Sequence, residues 1–232
     1  MADLNFPLDP QIGDTYTIGN RTWVWNGYGW QILTSITSLD PFTAKRIIVT
    51  TSTFATNTVS GGLQVVGGVG IGGNLVVGSG AITRGVINAN AYATGSFAAA
   101  GDAQAGTYIL RKLINSTTPT ALTTDNLTAG AQNQIILPNN SSYTFRIMIT
   151  ARATTTNDEG AWEFSGAVTR NASAGTIAIK VSNKTKIWSS IAGYDVNLGV
   201  DVTYGALQIL ATGADSNPVR FVARAETVEV TT

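Results

Sequence analysis

The chain has 232 residues, enough for one large β domain or a short string of small ones, and its 14 Lys plus Arg are balanced by 14 Asp plus Glu. A net charge of zero with only 12% charged residues argues against a nucleic-acid binder, which would carry a basic excess. With no His and no Cys, the inventory excludes Ser-His-Asp triads, cysteine nucleophiles, disulfides and the common zinc sites.

Twenty-five Gly and abundant Thr, Ala, Asn, Val and Ile disfavour helices and suit strands and tight turns, so an all-β fold is predicted. A surface of such low charge promotes association, and much of it is expected to be buried between subunits. The start, Met1-Ala2-Asp3-Leu4-Asn5, has neither a basic stretch nor a long apolar run, and nothing approaches the ~18 apolar residues of a membrane helix. Synthesis in a bacterial host cytoplasm, without a signal peptide or membrane insertion, is the expectation.

Residues 1–33 read as a small β-meander: Ile12 to Ile18, Arg21 to Trp25 and Tyr28 to Ile32, separated by the turn dipeptides Gly19-Asn20 and Asn26-Gly27. Trp23, Trp25 and Trp30 lie within eight residues, either as the core of so small a unit or as exposed docking anchors. Residues 34–60, polar and without clear periodicity, read as an extended connector.

Residues 61–97 hold short apolar pieces between glycines, with Val65, Val66, Val69, Ile71, Leu75, Val76 and Val77 the aliphatic positions. No piece is long enough for an independent sheet, so we read a trimeric shaft in which each aliphatic residue meets two copies of itself. Within it, Gly68-Val69-Gly70-Ile71-Gly72-Gly73 satisfies GxGxxG. The strand-like Asn74-Leu75-Val76-Val77 follows instead of a helix, and the next carboxylate after the motif is Asp102, so a dinucleotide site is rejected.

Residues 98–232 alternate in period two at Tyr143 to Arg152, Trp162 to Val168, Ile177 to Val181, Val196 to Val202, Leu207 to Ala211 and Val219 to Ala223, predicting a β-sandwich or jelly-roll-like knob. Asn157, Asp158 and Glu159 form a turn that could contact a host surface from a rigid scaffold. Arg220 and Arg224, with Glu226 and Glu229, could pair between subunits. No catalytic residue, metal ligand or cofactor is expected, although a sugar-cleaving mechanism would need only two carboxylates.

The run from Phe6-Pro7 through Gly13-Asp14-Thr15-Tyr16 to Arg21-Thr22-Trp23-Val24-Trp25-Asn26-Gly27-Tyr28-Gly29-Trp30 resembles a module near the start of phage tail-fibre and virion structural proteins, especially those of cyanobacterial phages. Gly62 to Leu75 is similar to their shaft repeats. Ala98 to Gln104, Tyr108 to Arg111, Leu137 to Asn140 and the ending Phe221 to Val230 are similar to a domain that closes many fibre-like proteins. The resemblance implies a non-enzymatic homotrimer in the virion tail, attached by its N-terminal module to tail or baseplate proteins. Its C-terminal knob would contact host surface polysaccharide. A capsid decoration or baseplate protein without receptor binding is the second reading, and a sugar-cleaving tailspike the third.

Overall fold

In a computed structural model of the chain, residues 6–19, 21–33, 69–215 and 217–232 are described, and the predicted connector, Val65 and Val66 lie outside them. The chain divides into two units, Met1–Gly67 and Gly68–Thr232. Both are all-β in their described parts, apart from a 3₁₀ turn at Ala174–Thr176.

The N-terminal unit is an antiparallel meander of β1 (Thr15–Ile18), β2 (Arg21–Trp25) and β3 (Trp30–Leu33), in register at Tyr16↔Trp23, Trp23↔Ile32 and Trp25↔Trp30. Its second turn closes because the Asn26 side chain accepts the Tyr28 and Gly29 N–H groups, both at 2.9 Å. Gly27 supplies the positive φ of 94° that the turn demands. Phe6 folds back over the sheet, stacked on Trp30 at 5.2 Å and edge-on to Trp23 at 5.5 Å, and this aromatic cluster is the unit's core.

The C-terminal unit contains β4 (Leu75–Val77), β5 (Ala89–Tyr92), β6 (Ala103–Ile114), β7 (Thr120–Ala121), β8 (Ile135–Ile136), β9 (Ser141–Ala153), β10 (Glu159–Arg170), β11 (Ala178–Ser189), β12 (Asp195–Asp201), β13 (Ala206–Thr212) and β14 (Val219–Thr231). A seven-stranded sheet runs β11-β10-β9-β14-β6-β5-β4, and a four-stranded sheet runs β12-β13-β7 with β8 also on β13. All pairings are antiparallel except β4 with β5.

Strict alternation in β9 turns Tyr143, Phe145, Ile147, Ile149 and Ala151 inward. With Trp162, Phe164 and Phe221 they form one core with Val196, Leu207, Ile209 and Ala211 of the smaller sheet, which covers the inner face of the larger. At Gly160 a Cβ would stand 2.3 Å from the Trp162 ring, so glycine is what lets that indole lie flat on the sheet.

The Gly-rich stretch differs from a free-standing shaft. From Leu75 onward it joins the edge of the larger sheet, where Asn74 binds two segments at once. Its amide donates to Thr83 Oγ1 (2.8 Å) and the Val86 carbonyl (2.9 Å), and its oxygen accepts the Ala89 N–H (3.1 Å). The strand that the GxGxxG run precedes is β4, with no helix there.

Candidate functional site

Opposite its core, the seven-stranded sheet presents a face that no described element covers. The ladder register lines up Val77, Tyr92, Ala105, Val228, Thr144, Ala167 and Val181 in one row across all seven strands. Val228 stands at its centre with 67% of its surface exposed. Ile109 and Met148, then Val222, then Leu113 continue the apolar positions along the same face, all exposed. Soluble monomers rarely leave so extended an apolar surface in water.

Part of the charge on this face is paired within the chain, while Arg111 and Arg220 have no acidic partner among the described residues. Arg146 Nε lies 2.8 Å from Glu163 and Arg152 Nη1 3.0 Å from Glu159, and Arg224 pairs with Glu226 two residues along β14. Screened pairs of this kind add little stability. A cleft of about 440 Å³ indents the face between Tyr92, Phe97, Val228 and Val230, floored by Gln104 and Ala105. It is the right form to receive a side chain from outside.

Beneath the cleft lies a buried ionic cluster that sequence reasoning missed. The Glu229 side chain is 0% exposed and faces Arg84, itself 10% exposed, at 3.3 Å. Gln104 Nε2 (2.8 Å) also donates to Oε2 of Glu229, while Tyr108 OH (3.1 Å) and Thr227 Oγ1 (2.6 Å) donate to Oε1. Gly106 makes room, since a Cβ there would come within 2.6 Å of the carboxylate. Burial, then the charge of Glu229, hold the Tyr108 hydroxyl far above its ordinary value, so it stays a donor. Nearby, the Asp102 carboxylate accepts the N–H groups of Phe97, Ala98 and Ala99, and the bonds from Ala99 and Ala98 hold its pKa below 3.8. The Glu229 cluster ties Arg84 and Gln104 to β14, and the Asp102 carboxylate closes the turn at residues 97–102.

The residues predicted from sequence fall in separate places. Trp23 is buried, 8% exposed, and Trp25 and Trp30 are half-buried in the aromatic core, while the outward apolar groups among the described residues of that unit include Leu8, Ile12, Tyr28 and Ile32. Val69, Ile71, Leu75, Val76 and Val77 are all exposed. Asn157, Asp158 and Glu159 form the β9–β10 turn and are tied down there: Arg152 donates to both Asn157 (3.1 Å) and Glu159, and Ser190 and Thr156 donate to Asp158. Of the charges considered for pairing between subunits, Arg224 and Glu226 pair with each other and Glu229 pairs with Arg84.

No protein-family model matches the sequence, and no curated protein does. Among solved structures, the chain has a likeness to a tailspike protein, gp49 of Acinetobacter baumannii bacteriophage Fri1, at 17% identity and a TM-score of 0.33, covering 55% of this chain and 18% of that one. A second is the tailspike protein of Acinetobacter baumannii phage AM24, at 9% identity and a TM-score of 0.26, covering 53% and 26%. The chain thus aligns with about a quarter or less of these much longer proteins, and a likeness at this level assigns neither a family nor a residue. The first is described as a capsular polysaccharide depolymerase, and the expectation of a non-enzymatic chain is withdrawn against it. Missing His and Cys exclude triads and thiol chemistry, but glycoside cleavage draws on carboxylates, which the chain has.

Proposed function

We propose that the chain is a bacteriophage tail-fibre protein, a homotrimer held to the virion through its N-terminal unit and touching the host cell surface through its C-terminal unit. The observation that carries this reading is the uncovered apolar row centred on Val228. Burying it against identical copies removes apolar surface from water at about 25 cal/mol per Å². The exposed Val69, Ile71, Leu75, Val76 and Val77 add to that surface along the sheet edge, and we assign them to packing between the chains. Docking to other virion proteins falls to Leu8, Ile12 and Tyr28 beside the half-buried Trp25 and Trp30, because apolar and aromatic groups that stand out of a rigid small sheet are common interface anchors. Weak sugar contacts become effective when three copies present them together.

Mass photometry of the full chain tests the reading. The expected mass is three times the 24.2 kDa of one chain, and Val228→Lys should shift the population to monomer with its circular dichroism unchanged. A wild-type chain that is well folded and monomeric at micromolar concentration overturns it.

A further inference from the structure

The turn between β5 and β6 ends in an apolar tip. Phe97, Ala98, Ala99 and Ala100 are consecutive, all exposed and without a polar side chain, and Phe97 leaves 83% of its surface in water. Turns that face solvent are ordinarily polar, and an exposed apolar run of this length is kept where it has a use. The tip is also rigid. The Asp102 carboxylate accepts the N–H groups of Phe97 (2.9 Å), Ala98 (2.6 Å) and Ala99 (2.7 Å), the Gly101 N–H donates to the Gly80 carbonyl (2.6 Å), and Arg84 donates to the Gly101 carbonyl. An aromatic group carried on so fixed a turn gives up little freedom when it binds, which is how a preorganised anchor gains affinity.

Beside the tip lies the cleft of about 440 Å³ between Tyr92, Val228 and Val230, with Phe97 standing at its rim. A benzene ring needs only about 150 Å³, so the cleft admits a phenyl ring together with part of the turn that carries it. Its floor asks for no polar partner. The Glu229 carboxylate beneath is already met by Arg84, Gln104, Tyr108 and Thr227. An apolar knob and an apolar hole thus stand side by side on each chain, next to the row centred on Val228.

We infer that Phe97 of one chain inserts into the cleft between Tyr92, Val228 and Val230 of a second copy, so that each cleft is completed by its neighbour's ring. A second copy is the occupant because the chain carries both halves of the contact, matched in size and in apolar character. Passing a knob to the next chain's hole is a head-to-tail contact, and such a contact repeats until the ring of subunits closes. One ring cannot hold two proteins together by itself, since a Phe side chain buries about 150–250 Å² and a stable interface about 1,200–2,000 Å². The knob fixes the register of the contact, and the uncovered row supplies most of its area.

This inference deepens the homotrimer reading and rests on it. The chain has no cysteine of its own, so a full-length Phe97→Cys variant co-expressed with Val228→Cys or Val230→Cys, one of each pair tagged, can form a mixed disulfide only between chains. Expected is that link with at least one of the two cleft variants, and none with Lys186→Cys on β11 at the far edge of the sheet. In sedimentation velocity over a dilution series, Phe97→Ala should come apart at a concentration roughly tenfold or more above the wild type, with its circular dichroism unchanged. A trimeric wild type whose Phe97→Cys variant links to neither cleft position, or links to Lys186→Cys as well, overturns the knob and leaves the trimer standing. So does a Phe97→Ala variant that dissociates like the wild type, while a monomeric wild type removes both. Wild-type binding to lipid vesicles that is lost in Phe97→Ala would assign the tip to a membrane surface and overturn the inference.

Discussion

Replacing Arg84 by Met tests how the segment before β6 is held. The substitution keeps most of the side-chain volume and removes the charge, leaving the fully buried Glu229 carboxylate with only Gln104, Tyr108 and Thr227 as donors. Removing one partner of a buried ion pair costs about 3–5 kcal/mol, because the other charge stays desolvated. In a unit of this size each kcal/mol lowers Tm by about 2–4 °C, so a fall of about 6–20 °C is expected. Adding Glu229→Gln takes the stranded charge away, and the double variant should recover roughly 1–2 kcal/mol relative to Arg84→Met alone. The assay is guanidinium unfolding followed by circular dichroism at one fixed protein concentration, since assembly would otherwise shift the midpoint. An Arg84→Met variant losing less than about 1 kcal/mol, or a double variant whose effects simply add, would refute the account of this cluster.

Gly160→Ala should destabilise the C-terminal unit by about 1–3 kcal/mol, because the new methyl meets the Trp162 ring, and the near-ultraviolet dichroism of that buried indole should change. Asp102 contributes stability that is full above its unfolded pKa near 3.8 and is lost as pH falls through its lower folded value. Protection from hydrogen exchange at Phe97, Ala98 and Ala99 should therefore fall as the pH is taken below 3.8, and in Asp102→Asn it should be lower already at neutral pH. Trp23→Ala should unfold the N-terminal meander, a loss of about 3–5 kcal/mol, whereas Tyr28→Ala, at a side chain 96% exposed, should leave its melting unchanged within ~0.5 kcal/mol.

Where one face of a strand is buried in apolar core, the pattern was legible in advance. The alternation from Tyr143 to Arg152 is β9 nearly to its ends, and Gly19 and the Asn26-Gly27 pair mark the turns of the meander. Reading failed where inward positions carry polar or small residues. Strand β6 turns Gln104 and Gly106 inward ahead of Tyr108 and Leu110, so periodicity gave no signal over its first half. On β14 the alternation was followed only to Ala223, because the inward side chains beyond Ala225 are Thr227 and Glu229, yet the strand runs on to Thr231.

The candidate sites divide in the same way. Composition and local pattern decided an all-β chain of low charge, since backbone propensity and alternation act over a few residues. Which outward residues form one continuous face was decided by register between strands as far apart in sequence as Tyr92, Val228 and Val181. The same holds for Arg84 and Glu229, 145 residues apart. A charge's partner and a side chain's direction depend on which strand lies alongside, and only closing the sheet settles that.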